Sequence, residues 1–510
     1  VLQFILRRIA ISAVILVLGS ALMYFATINS GDPLQDLRET RAENREQLIE
    51  ARIRNMNLDM PWWQRYLTWL TGAGKCLVLQ CDLGTTRDGA NVNSLLLGAA
   101  GASLRLVALS VALAIIIGIT LGVLSAIRQY SGFDYSITFL AFLFFSLPVF
   151  WAAVLLKDFG AIRFNNWMAD PQLTTVAMGV IAIVFGLLIA SVLGGDIRRQ
   201  ALTFLVTAGV VFGAVFWFDR IGWWRQPALG LPLIIVGGLA ALAFFLVLTV
   251  GLQHRRILYA GLGTLAVGVV SYFLVQPLIQ DPSWGLVLLL ALVSAAVGAA
   301  IGWFFGGFEK KTSMVVNIGT ALAFGFLVFM DQLLRNWAGF LDVAPQGRPI
   351  GTIGDARIPS ERLEGNFWIE IYNWGVQLIL PTIVLTLISI AGYSRYTRAS
   401  MLETINQDYI RTARSKGLSD RVVYTKHALR NALIPITTIV AFDFAALLGG
   451  AVITETIFGW KGLGAIFRDG LNTVDPGPVM AYYLVAGGAA VLMNMLADIA
   501  YAFLDPRIRR

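Results

Sequence analysis

Long apolar runs, each about as long as a bilayer crossing, fill most of this chain and are separated by short polar breaks. The runs are continuous and do not alternate with the period of two that marks a half-buried strand, so they read as helices. A helix needs about 20 apolar residues to cross roughly 30 Å of hydrocarbon. In lipid only helices and closed barrels satisfy their own backbone groups. About twelve spans are expected on that measure. They fall near residues 9–28, 103–126, 134–156, 174–194, 202–218, 231–252, 257–279, 284–305, 314–334, 377–393, 433–457 and 480–502. Two carry the weakest signal: 202–218, which is short, and 377–393, which contains Pro381.

The polar breaks orient the spans. With Arg7 and Arg8 inside, every second loop is cytoplasmic, and those loops hold Arg128, Arg198 with Arg199, Arg255 with Arg256, and Lys310 with Lys311. The stretch from Arg395 to Arg430 and the tail Arg507, Arg509 and Arg510 continue the series. The opposite loops are mixed or nearly neutral, as at Gln280-Asp281-Pro282-Ser283. This is the positive-inside pattern, and it predicts an even number of spans with both termini cytoplasmic. Arg7 and Arg8 precede an apolar run longer than a signal peptide's, with no Ala-x-Ala site after it, so the run is expected to stay as a first helix.

Composition agrees. The chain has 510 residues, of which 57% are hydrophobic and 14% charged, and its mean hydropathy is +0.71. Soluble domains carry about 25% charged residues, and no soluble core could hide this much apolar surface. The net charge of +8 sits in short clusters between apolar runs, which points to membrane orientation and away from nucleic acid.

Two larger polar segments remain, about 29–100 outside and about 394–432 inside. Cys76 and Cys81, the only cysteines, fall in the outer one. In an oxidising compartment they could close a small disulfide loop; the other reading is two free thiols. Their spacing and the lack of partner ligands make a metal site unexpected. Trp62, Trp63, Trp69 and Tyr66 are suited to an interfacial aromatic belt.

The inner segment has three parts. Ala399 to Ile410 is predicted as an amphipathic helix with Met401, Leu402 and Ile405 on its apolar face. Gly417 can end a helix in the left-handed conformation. Leu418 to Leu429 is predicted as a second short helix, with Pro435 in the first turn of the next span. Such a helix-Gly-helix unit could dock a cytoplasmic partner, or be a solvated basic loop.

Particular residues decide between the two. Arg395-Tyr-Thr-Arg-Ala-Ser-Met-Leu-Glu403, Asp408-Tyr-Ile-Arg-Thr-Ala-Arg-Ser-Lys-Gly-Leu418 and His427-Ala-Leu-Arg-Asn-Ala-Leu-Ile-Pro435 resemble the EAA loop, or coupling helix, of ABC-importer permeases. The wording is most similar to the B-type subunit of the dipeptide/oligopeptide/nickel family. Further matches follow in order at Gly449-Gly-Ala-Val-Ile-Thr-Glu-Thr-Ile-Phe458, Gly462-Leu-Gly464, Asn494 to Asp498 and Leu504-Asp-Pro-Arg507. Earlier ones stand at Gly31-Asp-Pro33, Leu58-Asp-Met-Pro61, Asp82-Leu-Gly84, Gly118-Ile-Thr-Leu-Gly122 and Ser146-Leu-Pro-Val-Phe-Trp151. Three features depart from the family. Residues 157–336 have no counterpart in its six-span pattern, Tyr-Ile-Arg-Thr-Ala replaces Glu-Ala-Ala, and Lys461 stands where proline is common.

The resemblance implies an all-α polytopic membrane protein with a six-helix type I importer core plus about six inserted helices. Its segments would be 1–28, a first helix; 29–100, extracytoplasmic; 101–156, core; 157–336, inserted; 337–376, an outer loop; and 377–510, core with the coupling loop 394–432. The inserted spans 174–334 hold almost no intramembrane charge, so they are expected to pack outside the pore, as a peripheral helical domain for stability or an extra partner. The resemblance also implies a second permease, two ATP-binding subunits that bring ATP and Mg, and an extracytoplasmic solute-binding protein met by segment 29–100. The location implied is a bacterial or archaeal cytoplasmic membrane. Asp408, Tyr409, Arg411, Ala413, Arg414, Lys416, Gly417 and Leu418 would meet the ATPase.

The chain has no Gly-x-x-x-x-Gly-Lys-[Ser/Thr] phosphate loop, since Gly306 to Thr312 lacks the second glycine. No nucleophile–base set stands out, and His254 and His427 fall in loops, so a catalytic role is not expected. Charge within a span is costly. Asp443, near the middle of 433–457, is expected to face the translocation path or a partner subunit, or else to make a structural hydrogen bond. Asp331, Glu455 and Asp498 lie nearer span ends, where hydration is expected. A secondary transporter is the main rival reading, but no repeat of the first half appears in the second; a non-transport membrane scaffold or receptor derived from a permease is the other.

Overall fold

The structure is a computed structural model that describes residues 2–504, apart from 42, 252, 253, 353, 355–357, 359–362 and 364. The tail motif from Asp505 on, with Arg507, Arg509 and Arg510, lies outside the described residues, as does the side chain of Asp498. Among the described residues the secondary structure is helical, with an isolated bridge between Thr85 and Asn91. Eleven helices there are long and apolar enough to cross a membrane, or twelve if one bent pair is a single crossing.

That pair corrects the expected straight span 134–156. Gly132–Ser146 and Val149–Ala169 meet at 97°. The break falls where Leu147 takes an extended conformation before Pro148, because proline lacks an N–H and disfavours helix in the residue before it. Other boundaries shift as well. The helix expected at 103–126 runs Val92–Ile127, opened by Asn91, whose side chain accepts from the N–H groups of Asn93 and Ser94. The short span 202–218 is the 24-residue helix Ile197–Arg220. The weak span 377–393 lies inside the 39-residue helix Phe367–Ile405, with Pro381 internal. The span 433–457 divides into Leu429–Gly450 and a separate helix, Val452–Phe458.

The chain splits into two compact units. The first holds residues 1–162, 352–355 and 377–510. In it, Val92–Ile127 crosses Phe367–Ile405 at two glycines. A Cβ on Gly118 would lie 2.8 Å from the Cβ of Tyr393, and one on Gly122 2.6 Å from the Ser394 carbonyl oxygen. The Gly118-Ile-Thr-Leu-Gly122 motif therefore lets two backbones meet, as small residues do between helices in lipid.

In the same unit, the segment before residue 92 carries the helices Arg45–Met56 and Trp62–Gly74. Tyr66 shares a 2.9 Å hydrogen bond with Ser20 and donates to the Val17 carbonyl, while Trp62 meets Phe25 edge-on. Cys76 and Cys81 are joined as a disulfide. Arg52, buried, bonds Asp36 at 2.5 Å and lies 3.4 Å from Asp88. Burial alone would raise the Asp36 carboxyl, but the Arg52 hydrogen bond and the charges of Arg52 and Arg87 outweigh it and hold it below the usual range. Asp475 accepts from the N–H groups of Arg87 and Gly477. There burial wins, and its carboxyl is pushed up.

The second unit holds residues 163–351 and 356–376, so its described part extends past the expected end of the insertion at 336. Its core gathers Ile234, Leu242, Leu246, Leu265, Phe324 and Trp368. Asp331 was expected near a hydrated span end. It is instead fully buried, and accepts from the N–H groups of Leu229 and Gly230, both at 2.8 Å, from Arg335 at 2.9 Å and from Tyr272 at 3.3 Å. A buried carboxylate needs such partners to offset its lost hydration.

Candidate functional site

The loop between the two long helices of the first unit is built as a small platform. Phe367–Ile405 stops at Ile405 and does not continue to Ile410, so the helix expected over Ala399 to Ile410 is two helices broken at Asn406 and Gln407. Gln407 is extended, and a new helix runs Asp408–Ser415. It ends in a Schellman motif: the N–H of Leu418 donates to the Ala413 carbonyl and that of Gly417 to the Arg414 carbonyl. Gly417 has φ +78°, a conformation that costs a residue with a Cβ roughly 1–2 kcal/mol. The following helix starts at Asp420, passes through a wider π turn at Val423–Ala428 and continues as Leu429–Gly450. The second short helix is thus the start of the next long one, and Pro435 lies inside it, past the first turn.

Periodicity explains how the platform is seated. Ile410 and Ala413, three apart on one face, are buried in a cluster with Ala126, Met401, Val423, Ala428 and Ala432. The other face is free, with Asp408 96% and Arg411 74% exposed, 3.6 Å apart as an ion pair. Arg414 lies 3.4 Å from Asp420 and donates to the Tyr424 hydroxyl, and Asn431 donates to the Tyr409 hydroxyl at 2.7 Å. Lys416, Gly417 and Leu418 are exposed. The structure thus gathers Asp408 to Leu418 on one short element, with Ala413 as a seat and the charged residues outward.

Beneath the platform lies a pair that sequence reasoning missed. Arg398 grips Asp134 with both arms, Nε to Oδ1 at 2.7 Å and Nη2 to Oδ2 at 2.8 Å. Ser125 Oγ and the N–H of Tyr130 also donate to Asp134, which is 2% exposed. Two signals were present: Arg398 stands in the quoted loop motif, and Asp134 is a carboxylate at the start of an apolar run.

Asp443 is not part of the platform. Its Oδ2 accepts from Ser389 Oγ at 2.7 Å and Tyr393 Oη at 2.6 Å, both on Phe367–Ile405. Glu455, expected near a hydrated end, is instead buried. Ser103 Oγ donates to it at 2.5 Å and the N–H of Ala465 at 3.1 Å, while the N–H of Leu463 donates to Ser103. Glu455 therefore satisfies the open N-terminus of the helix Leu463–Asn472, where unpaired N–H groups favour an anion. A Cβ on Gly464 would fall 2.6 Å from the Val452 Cα, and one on Gly462 would collide with the Glu455 carboxylate. This gives the Gly462-Leu-Gly464 motif a physical reason.

The family model described as "Binding-protein-dependent transport system inner membrane component" matches residues 269–510. The chain is 37% identical over 223 residues to the oligopeptide transport system permease protein AppB of Bacillus subtilis, covering 43% of this chain and 68% of that protein. It is 44% identical over 150 residues to OppB of Mycobacterium tuberculosis, covering 29% of this chain and 46% of that one. It is 36% identical over 210 residues to the dipeptide transport system permease protein DppB of Alkalihalophilus pseudofirmus, covering 40% and 62%.

Proposed function

This chain belongs to the binding-protein-dependent transport system inner membrane components, and from that premise we propose how it serves as a permease of a peptide importer. It is a multi-pass membrane protein, a permease subunit of an ABC importer for peptides. Such permeases act with an ATPase, a further permease and a solute-binding protein. Here the assembly has one similar permease, two ATP-binding subunits that carry the ATP and Mg, and a binding protein outside a bacterial or archaeal cytoplasmic membrane. The chain supplies no ATP chemistry of its own and transmits it.

One observation carries this reading: the capped helix Asp408–Ser415, seated by Ile410 and Ala413 and presenting its charged face outward. A short rigid knob on a packed base can enter a groove on a partner and pass a displacement to both long helices, because packed elements move as bodies. Gly417→Pro removes both the left-handed turn and the N–H given to Arg414. In proteoliposomes with the partner subunits, it is expected to abolish hydrolysis stimulated by the binding protein while pull-down of the second permease persists. Hydrolysis equal to wild type would remove the coupling role, and ATPases that never bind the chain would favour a secondary transporter.

Asp443 ties Leu429–Gly450 to Phe367–Ile405 through Ser389 and Tyr393. Both hydroxyls meet one oxygen, Oδ2, so Asp443→Asn keeps an acceptor for them when its amide oxygen takes that place. The variant is expected to leave assembly intact and peptide uptake within about fivefold, one neutral hydrogen bond being worth about 1 kcal/mol. Lost uptake with assembly intact would return Asp443 to the translocation path.

A further inference from the structure

The second unit carries a half-open cavity of about 430 Å³ among the helices Arg255–Val275, Trp284–Phe305 and Lys310–Arg335. Its walls are apolar side chains such as Val267, Leu290, Val293, Val297, Leu322 and Phe326. Four hydroxyls reach it: those of Thr264, Ser271, Tyr272 and Ser294. Thr264 donates to the Asn317 side chain at 2.6 Å, and Tyr272 bonds Asp331 and Arg335. Ser271 and Ser294 are isolated in a wall that is otherwise apolar.

The lining residues run along the helices, from Thr264 to Val275 and from Trp284 to Val297. One end is marked by Pro282, Trp284 and Trp368, the other by Thr264 and Val297. From Trp284 to Val297 the helix rises about 20 Å, against about 15 Å for the hydrocarbon of one leaflet. The Trp368 indole N–H, donating to the Ile279 and Gln280 carbonyls, fixes the first end. That end is opposite the one bearing Arg255, Arg256, Lys310 and Lys311.

A space walled mainly by apolar side chains offers water few partners, and left empty it forfeits dispersion contacts along its lining. The medium around these helices is hydrocarbon. We infer that the cavity is a binding site for one acyl chain of a bilayer phospholipid, with the head group at the end marked by Pro282 and Trp284. The site takes an extended aliphatic chain and selects by length and shape. It is independent of the importer reading, since it uses none of the coupling residues.

The test uses the full chain in nanodiscs containing a phosphatidylcholine with a diazirine on one acyl chain, with adducts mapped by mass spectrometry. The expected result is preferred labelling of the lining residues, removed by excess unlabelled phosphatidylcholine. Gly325→Leu fills the cavity without a backbone clash, since a Cβ there is 3.7 Å from its nearest neighbour, Ser294 Oγ. It is expected to cut labelling of the lining at least fivefold while labelling of exposed Leu202 and Leu205 stays constant. If that variant does not fold, Ala291→Leu serves in its place. Lining adducts no denser than those at Leu202 and Leu205, or unchanged by a folded filling variant, would overturn the site. Labelling only when the diazirine is carried on a free fatty acid would overturn the phospholipid as its source.

Discussion

Replacing Arg398 with alanine is expected to destabilise the first unit by about 3 kcal/mol and to uncouple ATP hydrolysis from the permease. The cause is Asp134. It is 2% exposed and would keep Ser125 and the Tyr130 N–H but lose both arms of the guanidinium. Removing one partner of a buried pair costs about 3–5 kcal/mol, because the other charge stays buried and uncompensated. The low end applies because the Arg398 side chain is 30% exposed and water can partly replace it. The pair joins the turn after Ile127 to the helix that stops at Ile405, just before the platform, so the platform's seat should loosen with it. The measurements are thermal unfolding in detergent and stimulated hydrolysis in proteoliposomes. The double variant Asp134→Asn with Arg398→Met, which removes both charges and keeps an amide oxygen as acceptor beside Ser125 and the Tyr130 N–H, should recover part of the stability. A loss below about 1 kcal/mol for Arg398→Ala would make the pair no stronger than a surface salt bridge.

Gly122→Val is expected to be worse tolerated than any substitution on the platform's exposed face. A single Cβ at this position would already lie 2.6 Å from the Ser394 carbonyl oxygen and from the Thr397 Cβ. The first of these is backbone and cannot rotate away, so the helices Val92–Ile127 and Phe367–Ile405 must separate. Overpacking of this kind costs about 1–3 kcal/mol or more, and the separation would also misplace Arg398. Low yield of folded protein and loss of stimulated hydrolysis are the expected readouts, whereas Thr412→Val, on the exposed face, should fold as wild type. Normal folding of Gly122→Val would mean that the crossing is looser than these distances require.

Where the chain crosses lipid was legible because that solvent imposes one rule, about 20 apolar residues in a self-satisfied helix. The coupling loop was legible for a different reason. A helix stop at Gly417 and the pair Ile410 and Ala413 are local signals, set by backbone conformation and by spacing along one helix.

Breaks inside apolar stretches were harder. Pro148 and Pro381 are both prolines in apolar runs, yet the chain turns 97° at the first break and continues as helix through the second. Proline removes one N–H in either case, and neighbouring helices decide whether the loss becomes a bend. The charges show the same division. Sequence spacing put Asp331 and Glu455 near span ends, and hydration there was the simplest expectation. Arg335 is a local partner of Asp331, one turn along the same helix, but the fold brings the N–H groups of Leu229 and Gly230 to Asp331 and the Leu463–Asn472 N-terminus to Glu455. Asp134 and Arg398 are 264 residues apart in sequence, so no local pattern could pair them. The sequence by itself determined the solvent, the helices and the local stops, because each depends on neighbours along the chain. Only the tertiary structure decided which charges are buried and which glycines let helices touch, because those depend on partners distant in sequence.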